Sequence, residues 1–282
     1  MESRERNPRI YLVASGKGGV GKTVVCANLA VALASEGQRV LVLDADLGLA
    51  NLDILLGLTP QWNLRHVLER SHTLKDIVLT GPAGIEVLPA SSGLPHLADL
   101  PREHSLAILQ ALGALAHEYD TVLIDAPSGV GVGARRFIEL ADELVVITTP
   151  EPTSVTDAYA LVKVASMERP ELKQALLVNM AQDAEEGRRT AEAVSAITQR
   201  FLGFPIPSLG FLPWDERVPL AVRRQKTFML SDPLSAASRH IRLLARQIGA
   251  PREAVAAPPA VEFQWPNRIK KWLNINGEEP RS

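Results

Sequence analysis

Apolar residues in this chain recur in two alternating patterns. Short and largely apolar runs of strand length fall at 10–14, 40–43, 85–88, 121–124, 143–149, 175–180 and 208–212. Stretches with helical apolar spacing follow them, at 24–34, 105–117, 155–164, 185–201, 218–225 and 233–248, with shorter ones within 47–57 and at 64–68 and 74–79. The first pattern is typical of strands covered on both faces, and the second indicates amphipathic helices. The alternation predicts an α/β fold: a doubly wound, mostly parallel sheet of about seven to eight strands with helices on both faces.

The domain organisation follows from where this alternation stops. It continues without an interrupting linker to about residue 249, which favours one large domain over 1–249. Proline and alanine then dominate 250–261, a composition typical of linkers. The remaining residues, 262–282, form a separate C-terminal segment.

That segment carries an isolated amphipathic pattern. Arg268, Lys270 and Lys271 flank an apolar helical face made of Trp265, Ile269, Trp272 and Leu273. Tryptophans beside basic residues are typical of a helix that lies in the interface of an anionic membrane. The same spacing also fits a terminal helix packed on its own domain, and spacing alone leaves both interpretations open.

The stretch between the first predicted strand and the first predicted helix has the composition of a phosphate-binding loop. It reads SGKGGVGKT over 15–23 and fits the pattern G-x-x-x-x-G-K-[ST]. Glycines allow backbone N–H groups to turn inward around a phosphate, and the following helix adds its positive N-terminal dipole. Lys22 is expected to reach the β- and γ-phosphates, and the Thr23 hydroxyl to face Mg²⁺. The residues predicted to bind nucleotide here are Gly16, Lys17, Gly18, Gly19, Val20, Gly21, Lys22 and Thr23.

Acidic residues follow two of the predicted strands. Asp44 and Asp46 come at the end of the strand 40–43, and Asp125 comes directly after 121–124. Ligands bind at the carboxyl ends of strands in open α/β sheets. An apolar strand that ends in Asp is the Walker B pattern, in which the carboxylate holds Mg²⁺ through a water. A strand-end Asp that caps the next turn is the alternative reading of Asp125.

Composition narrows the functional classes. The chain has 282 residues, 46% of them hydrophobic, and a net charge of −2, so there is no global basic field that implies nucleic acid. Its one cysteine, Cys26, excludes an intrachain disulfide framework. The polar start, 1–9, does not resemble a signal peptide, and no run of about 18 apolar residues is present. We therefore expect a soluble, cytoplasmic protein.

Lys17 gives the phosphate loop a second lysine, and GKGGVGKT resembles the deviant Walker A motif of the MinD/ParA ATPases. The sequence DADLGLAN over 44–51 is similar to the FlhG branch of that family, also called FleN or YlxH, which regulates flagellar number and placement. Further similarities are LPASSG at 88–93, DAP at 125–127 and TPEPTS at 149–154. The resemblance covers about 9–248, and a C-terminal amphipathic helix is also common in the family.

The resemblance implies a slow, dimer-dependent ATPase that uses ATP and Mg²⁺. Lys17 would contact the nucleotide of the partner subunit, and Asp46 would orient the attacking water. Asn179 would read the adenine edge, with Leu212 and Pro213 packed on the base. Thr23 and Asp125 would hold the metal. The ATP-bound homodimer would associate with the membrane through the C-terminal helix, and a flagellar protein such as the GTPase FlhF, a transcription activator or a C-ring component would be its partner.

Other activities on the same loop have weaker support. A DNA-partition ATPase needs a basic patch on the body of the domain, and direct nucleic-acid binding is not expected from the balanced charge. A metal-cluster carrier of the related Mrp type needs a Cys-x-x-Cys near the C-terminus, which this sequence lacks. No acceptor-site motif suggests a small-molecule kinase. The nine residues before the first strand contain no glutamine, so stimulation of FlhF through a glutamine-containing N-terminal motif is not expected.

Overall fold

The computed structural model describes residues 8–45, 51–89, 102–249 and 265–274. Its centre is an eight-stranded sheet in the order β3-β4-β2-β5-β1-β6-β7-β8. Every neighbouring pair is parallel except β3 with β4. The strands are β1 (Arg9–Ala14), β2 (Val40–Asp44), β3 (Leu79–Thr80), β4 (Glu86–Leu88), β5 (Thr121–Asp125), β6 (Glu143–Thr148), β7 (Lys173–Ala181) and β8 (Ser208–Pro213).

Helices cover both faces of the sheet. They are α1 (Lys22–Ser35), α2 (Leu52–Leu56), α3 (Leu64–Leu68), α4 (Leu74–Ile77), α5 (Arg102–Ala116), α6 (Val132–Leu140), α7 (Pro152–Glu168), α8 (Ala184–Leu202), α9 (Arg217–Arg223), α10 (Phe228–Ser231), α11 (Ala236–Gly249) and α12 (Trp265–Asn274). One core lies between the sheet and α3 to α8 with α12, and a second core lies between the sheet and α1, α2 and α9 to α11.

The strand residues alternate between these two cores. Ile10 and Leu12 of β1 belong to the first core, whereas Tyr11 and Val13 belong to the second. All four are buried, because a parallel sheet with helices on both sides leaves no solvent-facing side. This double burial is why the strands appear in the sequence as continuous apolar runs, and the predicted fold class is confirmed.

Three short elements are absent from the sequence prediction: β3, α6 and α10. For α6 the reason lies in its buried face, which carries Arg136 and Glu139 at 1% and 5% exposure. Two charged residues on the inner side break the apolar spacing that identifies an amphipathic helix. The elements β3 and α10 are two and four residues long, too short to give a periodic signal.

The C-terminal helix α12 forms and packs against α5 and α6. Trp265, Ile269 and Trp272 are 4%, 4% and 1% exposed and belong to the first core. Of the two interpretations of this segment, the structure contains the helix docked on its own domain. The predicted linker 250–261 lies outside the described residues, as does the side chain of Leu273. Within the described ranges, no helix is both long and apolar enough to cross a membrane.

Candidate nucleotide site

The site lies where β1, β2 and β5 end at the same edge of the sheet. Val13 and Asp44 are both in register with Asp125, so the end of β1 lies beside the two aspartates that end β2 and β5. The strand order also reverses at β1, whose neighbours are β5 and β6. In open α/β sheets such a reversal opens a crevice that binds ligand.

The loop between β1 and α1 has a backbone that requires glycine. Gly19 and Gly21 have φ values of +80° and +84°, in the left-handed region that residues with a Cβ rarely adopt. At Gly16, a Cβ would overlap the carbonyl oxygen of Asp157 on α7. The loop therefore has a conformation that only glycine allows at these positions, as in loops whose backbone N–H groups surround a phosphate.

Helix α1 starts at Lys22, directly behind the loop, and contains no acidic residue in its first turn. The positive dipole end of α1 therefore faces the cradle, and no carboxylate of its own first turn opposes an anion there. Thr23, in the same turn, is half-buried and lines the cavity. The predicted role of its hydroxyl toward Mg²⁺ stays a prediction.

Lys22 and Asp125 form a buried ion pair. The Lys22 Nζ lies 2.9 Å from Asp125 Oδ1, and the two side chains are 7% and 2% exposed. The structure therefore brings together the expected phosphate cation and the expected metal carboxylate. The nearby Cys26 thiol is fully buried, and burial first, then the charge of Asp125, raises its pKa well above the usual range, so it stays protonated.

Lys17 is directed away from Lys22 and toward α7. Its Nζ forms an ion pair with Glu151 and donates a hydrogen bond to Thr153 Oγ1 at 3.0 Å. The Lys17 and Glu151 side chains are 36% and 64% exposed, so solvent screens the pair. The loop thus carries one lysine in its own site and one at the surface, a separation that the sequence did not reveal because Glu151 is 134 residues away.

Asn179 on β7 braces the phosphate loop. Its Nδ2 donates to the Val20 carbonyl at 2.7 Å, and the side chain is 9% exposed. A Cβ on Gly21 would lie only 2.5 Å from the same amide nitrogen, too close for contact. This lack of space is a second reason for glycine at that position, beside its positive φ. The adenine-reading role of Asn179 stays a prediction, and loop support is the contact that the structure adds.

A cavity of about 660 Å³ extends from the loop to α9. Leu212 and Pro213, predicted to pack on the base, line it together with Asn179. The sequence prediction missed the rest of this wall, because the α9 pattern reads as an ordinary amphipathic helix. The missed lining residues include Trp214, Val218, Pro219, Val222 and Arg223.

The two carboxylates after β2 differ in what the structure reveals. Asp44 accepts hydrogen bonds from the backbone N–H groups of Asn51 and Leu52 at 3.3 and 3.2 Å, so it fixes the start of α2. Asp46, the predicted water-positioning residue, lies outside the described residues. Its catalytic role stays a prediction.

Comparison with known proteins places the chain in a family. Residues 11–228 match the CobQ/CobB/MinD/ParA nucleotide binding domain. The chain is 39% identical over 241 residues to the antiactivator FleN of Pseudomonas aeruginosa, covering 85% of this chain and 86% of FleN. It is 34% identical over 193 residues to the flagellum site-determining protein YlxH of Helicobacter pylori, covering 68% of this chain and 65% of YlxH. The septum site-determining protein MinD of Pyrococcus horikoshii, solved in complex with Mg-ADP, gives a TM-score of 0.71 at 25% identity, covering 86% of this chain and 96% of MinD.

The residues present fit a magnesium nucleotide. The glycine cradle excludes a Cβ at Gly16 and Gly21, the α1 N-terminus faces it, and Lys22, Thr23 and Asp125 supply a cation, a hydroxyl and a carboxylate. Mg-ATP, when bound, supplies the γ-phosphoryl group and the metal that neutralises its charge. This chain belongs to the MinD/ParA family and is an ATPase that uses ATP and Mg²⁺.

Proposed function

We propose that this protein is an ATP-dependent dimerising switch that regulates flagellar number or placement and associates with the membrane when ATP is bound. The observation that carries the proposal is the position of Lys17. A lysine that served its own site would lie beside Lys22 in the cradle, whereas Lys17 is at the surface beside Glu151 and Thr153. A surface cation at the edge of a phosphate cradle is suited to the phosphates of a second copy.

The catalytic cycle assigns a distinct task to each residue. Lys22 and the α1 N–H groups hold the phosphates, and Thr23 and Asp125 hold the metal. Asp46 positions the attacking water opposite the γ-phosphate, because phosphoryl transfer depends on positioning and charge stabilisation more than on a strong base. Lys17 of the partner subunit completes the charge around the γ-phosphate. The site is therefore incomplete in one subunit, and hydrolysis is slow until the dimer forms.

Dimerisation requires Lys17 to exchange one anion for another. In this structure it is paired with Glu151, an exposed contact of the kind worth about 0–1 kcal/mol. A triphosphate carries more charge, and within a dimer interface it is screened less by water. The exchange is therefore favourable with ATP, and it weakens when hydrolysis removes the γ-phosphate.

Membrane association requires α12 to leave its docking site. Trp265 Nε1 donates to the Leu109 carbonyl at 2.6 Å, and the Arg268 guanidinium donates to the Leu140 carbonyl at 2.8 Å and pairs with Asp142 at 2.6 Å. The Trp272 ring lies 4.5 Å from the Arg136 guanidinium. While these contacts hold, the apolar face of α12 is covered and unavailable to lipid. Two released helices on one dimer bind a surface far better than one, since the second binds intramolecularly.

The flagellar assignment rests on similarity to FleN and YlxH. FlhF, a transcription activator or a C-ring protein is the class of partner proposed. The alternative is a MinD/ParA-type ATPase that positions another cargo, such as the division site or a DNA–protein complex. Deleting the gene in its host and counting flagella by electron microscopy separates them. The proposal expects a changed number or placement that the wild-type gene restores and Lys22→Ala does not, whereas normal flagella with misplaced septa would favour the alternative.

A further inference from the structure

Helix α11 has an outward stripe that the ATPase cycle does not use. Its inner residues, including Ile241 and Leu244, are buried in the second core. The opposite side carries Arg239, Arg242, Leu243 and Arg246 at positions i, i+3, i+4 and i+7, which face the same direction on a helix. We call these four residues the outer stripe.

Three leucines in and just before α11 are exposed. Leu243 within the stripe is 61% exposed, and Leu234 and Leu230, in the segment that leads into α11, are 82% and 51% exposed. Arg239 Nη1 donates to the Leu234 carbonyl at 2.6 Å, so the basic stripe and the leucine-bearing turn are held together. Single exposed leucines are ordinary, but a group of them among cations marks an interaction surface.

Charge is concentrated in the same region. Residues 217–249 contain six arginines, one lysine and a single aspartate, a net charge of +6 in a chain whose total is −2. Arg246 contacts Glu36 at 3.1 Å, but both side chains are largely solvent-exposed at 64% and 43%, so water weakens that pair. A guanidinium has five N–H donors, and each described contact of a stripe arginine uses only one or two of them. The outer stripe therefore retains N–H donors and a positive electrostatic potential for an anionic partner.

We propose that the outer stripe of α11, with Leu230 and Leu234, is a second contact surface for an anionic lipid bilayer. Arginines bind lipid phosphates, and exposed leucines on the same surface enter the boundary between headgroups and acyl chains. Nucleic acid offers phosphates but no apolar layer for the leucines, and it is the less suitable partner. The proposal rests on the proposed membrane association of α12.

The chain order supports this placement. Arg246 is one turn before Gly249, the end of α11, and only 15 residues separate Gly249 from Trp265 at the start of α12. Even fully extended, 15 residues span at most about 50 Å. A bilayer-bound α12 therefore keeps α11 near the same surface. The two contacts lie on opposite faces of the sheet when α12 is docked, so they act together only after its release.

Site-specific fluorescence separates the two contacts. Cys26 is buried, so a surface cysteine is labelled selectively with a polarity-sensitive probe. Leu243→Cys reports on α11, and Lys270→Cys, on the exposed side of α12, reports on α12. With ATP and vesicles of phosphatidylglycerol in phosphatidylcholine, both probes are expected to shift to the blue. A blue shift at Lys270→Cys alone would overturn the α11 contact and preserve the α12 contact. A blue shift at Leu243→Cys alone would overturn the α12 contact and preserve the α11 contact. No blue shift at either position would overturn both contacts.

A charge-matched comparison tests the stripe in the full chain. Replacing its three arginines by glutamine should weaken partition onto these vesicles about a hundredfold, since each cation near an anionic surface contributes about a factor of five. ATP hydrolysis without vesicles should be unchanged, which verifies the fold. The control replaces three exposed arginines of α8 by glutamine: Arg188, Arg189 and Arg200. This control variant should change vesicle binding by less than about threefold. Equal losses in both variants, or loss of duplex-DNA binding with vesicle binding intact, would overturn the proposal.

Discussion

Gly113 on α5 offers a way to release α12 without changing α12. A Cβ at Gly113 would overlap the Trp265 indole, far inside van der Waals contact. Moving the ring aside within the groove would break the hydrogen bond from its Nε1 to the Leu109 carbonyl on the same helix. Gly113→Ala should therefore eject Trp265, while alanine itself favours helix in α5 by about 1 kcal/mol.

The expected loss of docking is large. Burial of one tryptophan contributes about 3 kcal/mol and its hydrogen bond about 1 kcal/mol, so the docked state loses about 4 kcal/mol. That is about a thousandfold in the ratio of docked to released helix. Released α12 should give measurable binding to anionic vesicles without ATP, weaker than that of an ATP-bound dimer with two released helices, whereas the wild type should need ATP.

Two assays measure this release. Vesicle co-sedimentation without nucleotide reads lipid binding, and intrinsic fluorescence reads exposure. Of the four tryptophans, Trp62 and Trp214 are already 41% and 52% exposed, so a red shift of emission reports on Trp265 and Trp272. Gly133→Ala on α6 is the matched control, because its Cβ would meet only the Pro127 Cγ at an ordinary 3.4 Å. Unchanged emission together with unchanged, ATP-dependent lipid binding in Gly113→Ala would refute the docking argument.

Four further substitutions address the nucleotide cycle. Lys22→Ala should weaken ATP binding at least about a hundredfold in calorimetry, since it removes the main phosphate cation; near-normal affinity would exclude that role. Lys17→Ala should bind ATP within a few-fold of wild type yet sediment as a monomer, and a normal dimer would rule out its action across the interface. Asp46→Ala should slow hydrolysis about 100- to 1000-fold and accumulate an ATP-bound dimer, so wild-type turnover would assign the water to another residue. Glu151→Gln frees Lys17 and should lower the ATP concentration needed for dimerisation about two- to fivefold, whereas a higher requirement would mean that Glu151 supports the dimer.

The strands and the phosphate loop could be predicted because each is encoded by residues that are close together in the sequence. The strands are readable because both faces of the sheet are covered, and the phosphate loop is readable because its glycines, lysine and threonine are adjacent. Contacts between distant segments are not readable in this way. Nothing in the spacing of Lys17 indicates Glu151, and the Asn179 bond to Val20 joins residues 159 positions apart.

The docking of α12 is another contact between distant segments that the sequence does not indicate. The spacing of Trp265, Ile269 and Trp272 is identical for a helix on lipid and a helix on protein. The deciding feature is a groove on another part of the chain, where Gly113 leaves room for an indole and Arg136 lies beside the second one. A glycine within an amphipathic helix carries no sign in the sequence that another helix packs there.

ATP, and not ADP, is expected to join two copies of this chain. Light scattering coupled to gel filtration tests it directly on the wild-type protein with Mg-ATP, with Mg-ADP and without nucleotide. We expect the 30.6 kDa chain mass without nucleotide and with ADP, and twice that mass with ATP. A monomer at saturating ATP, or a dimer of equal stability in all three conditions, would contradict it.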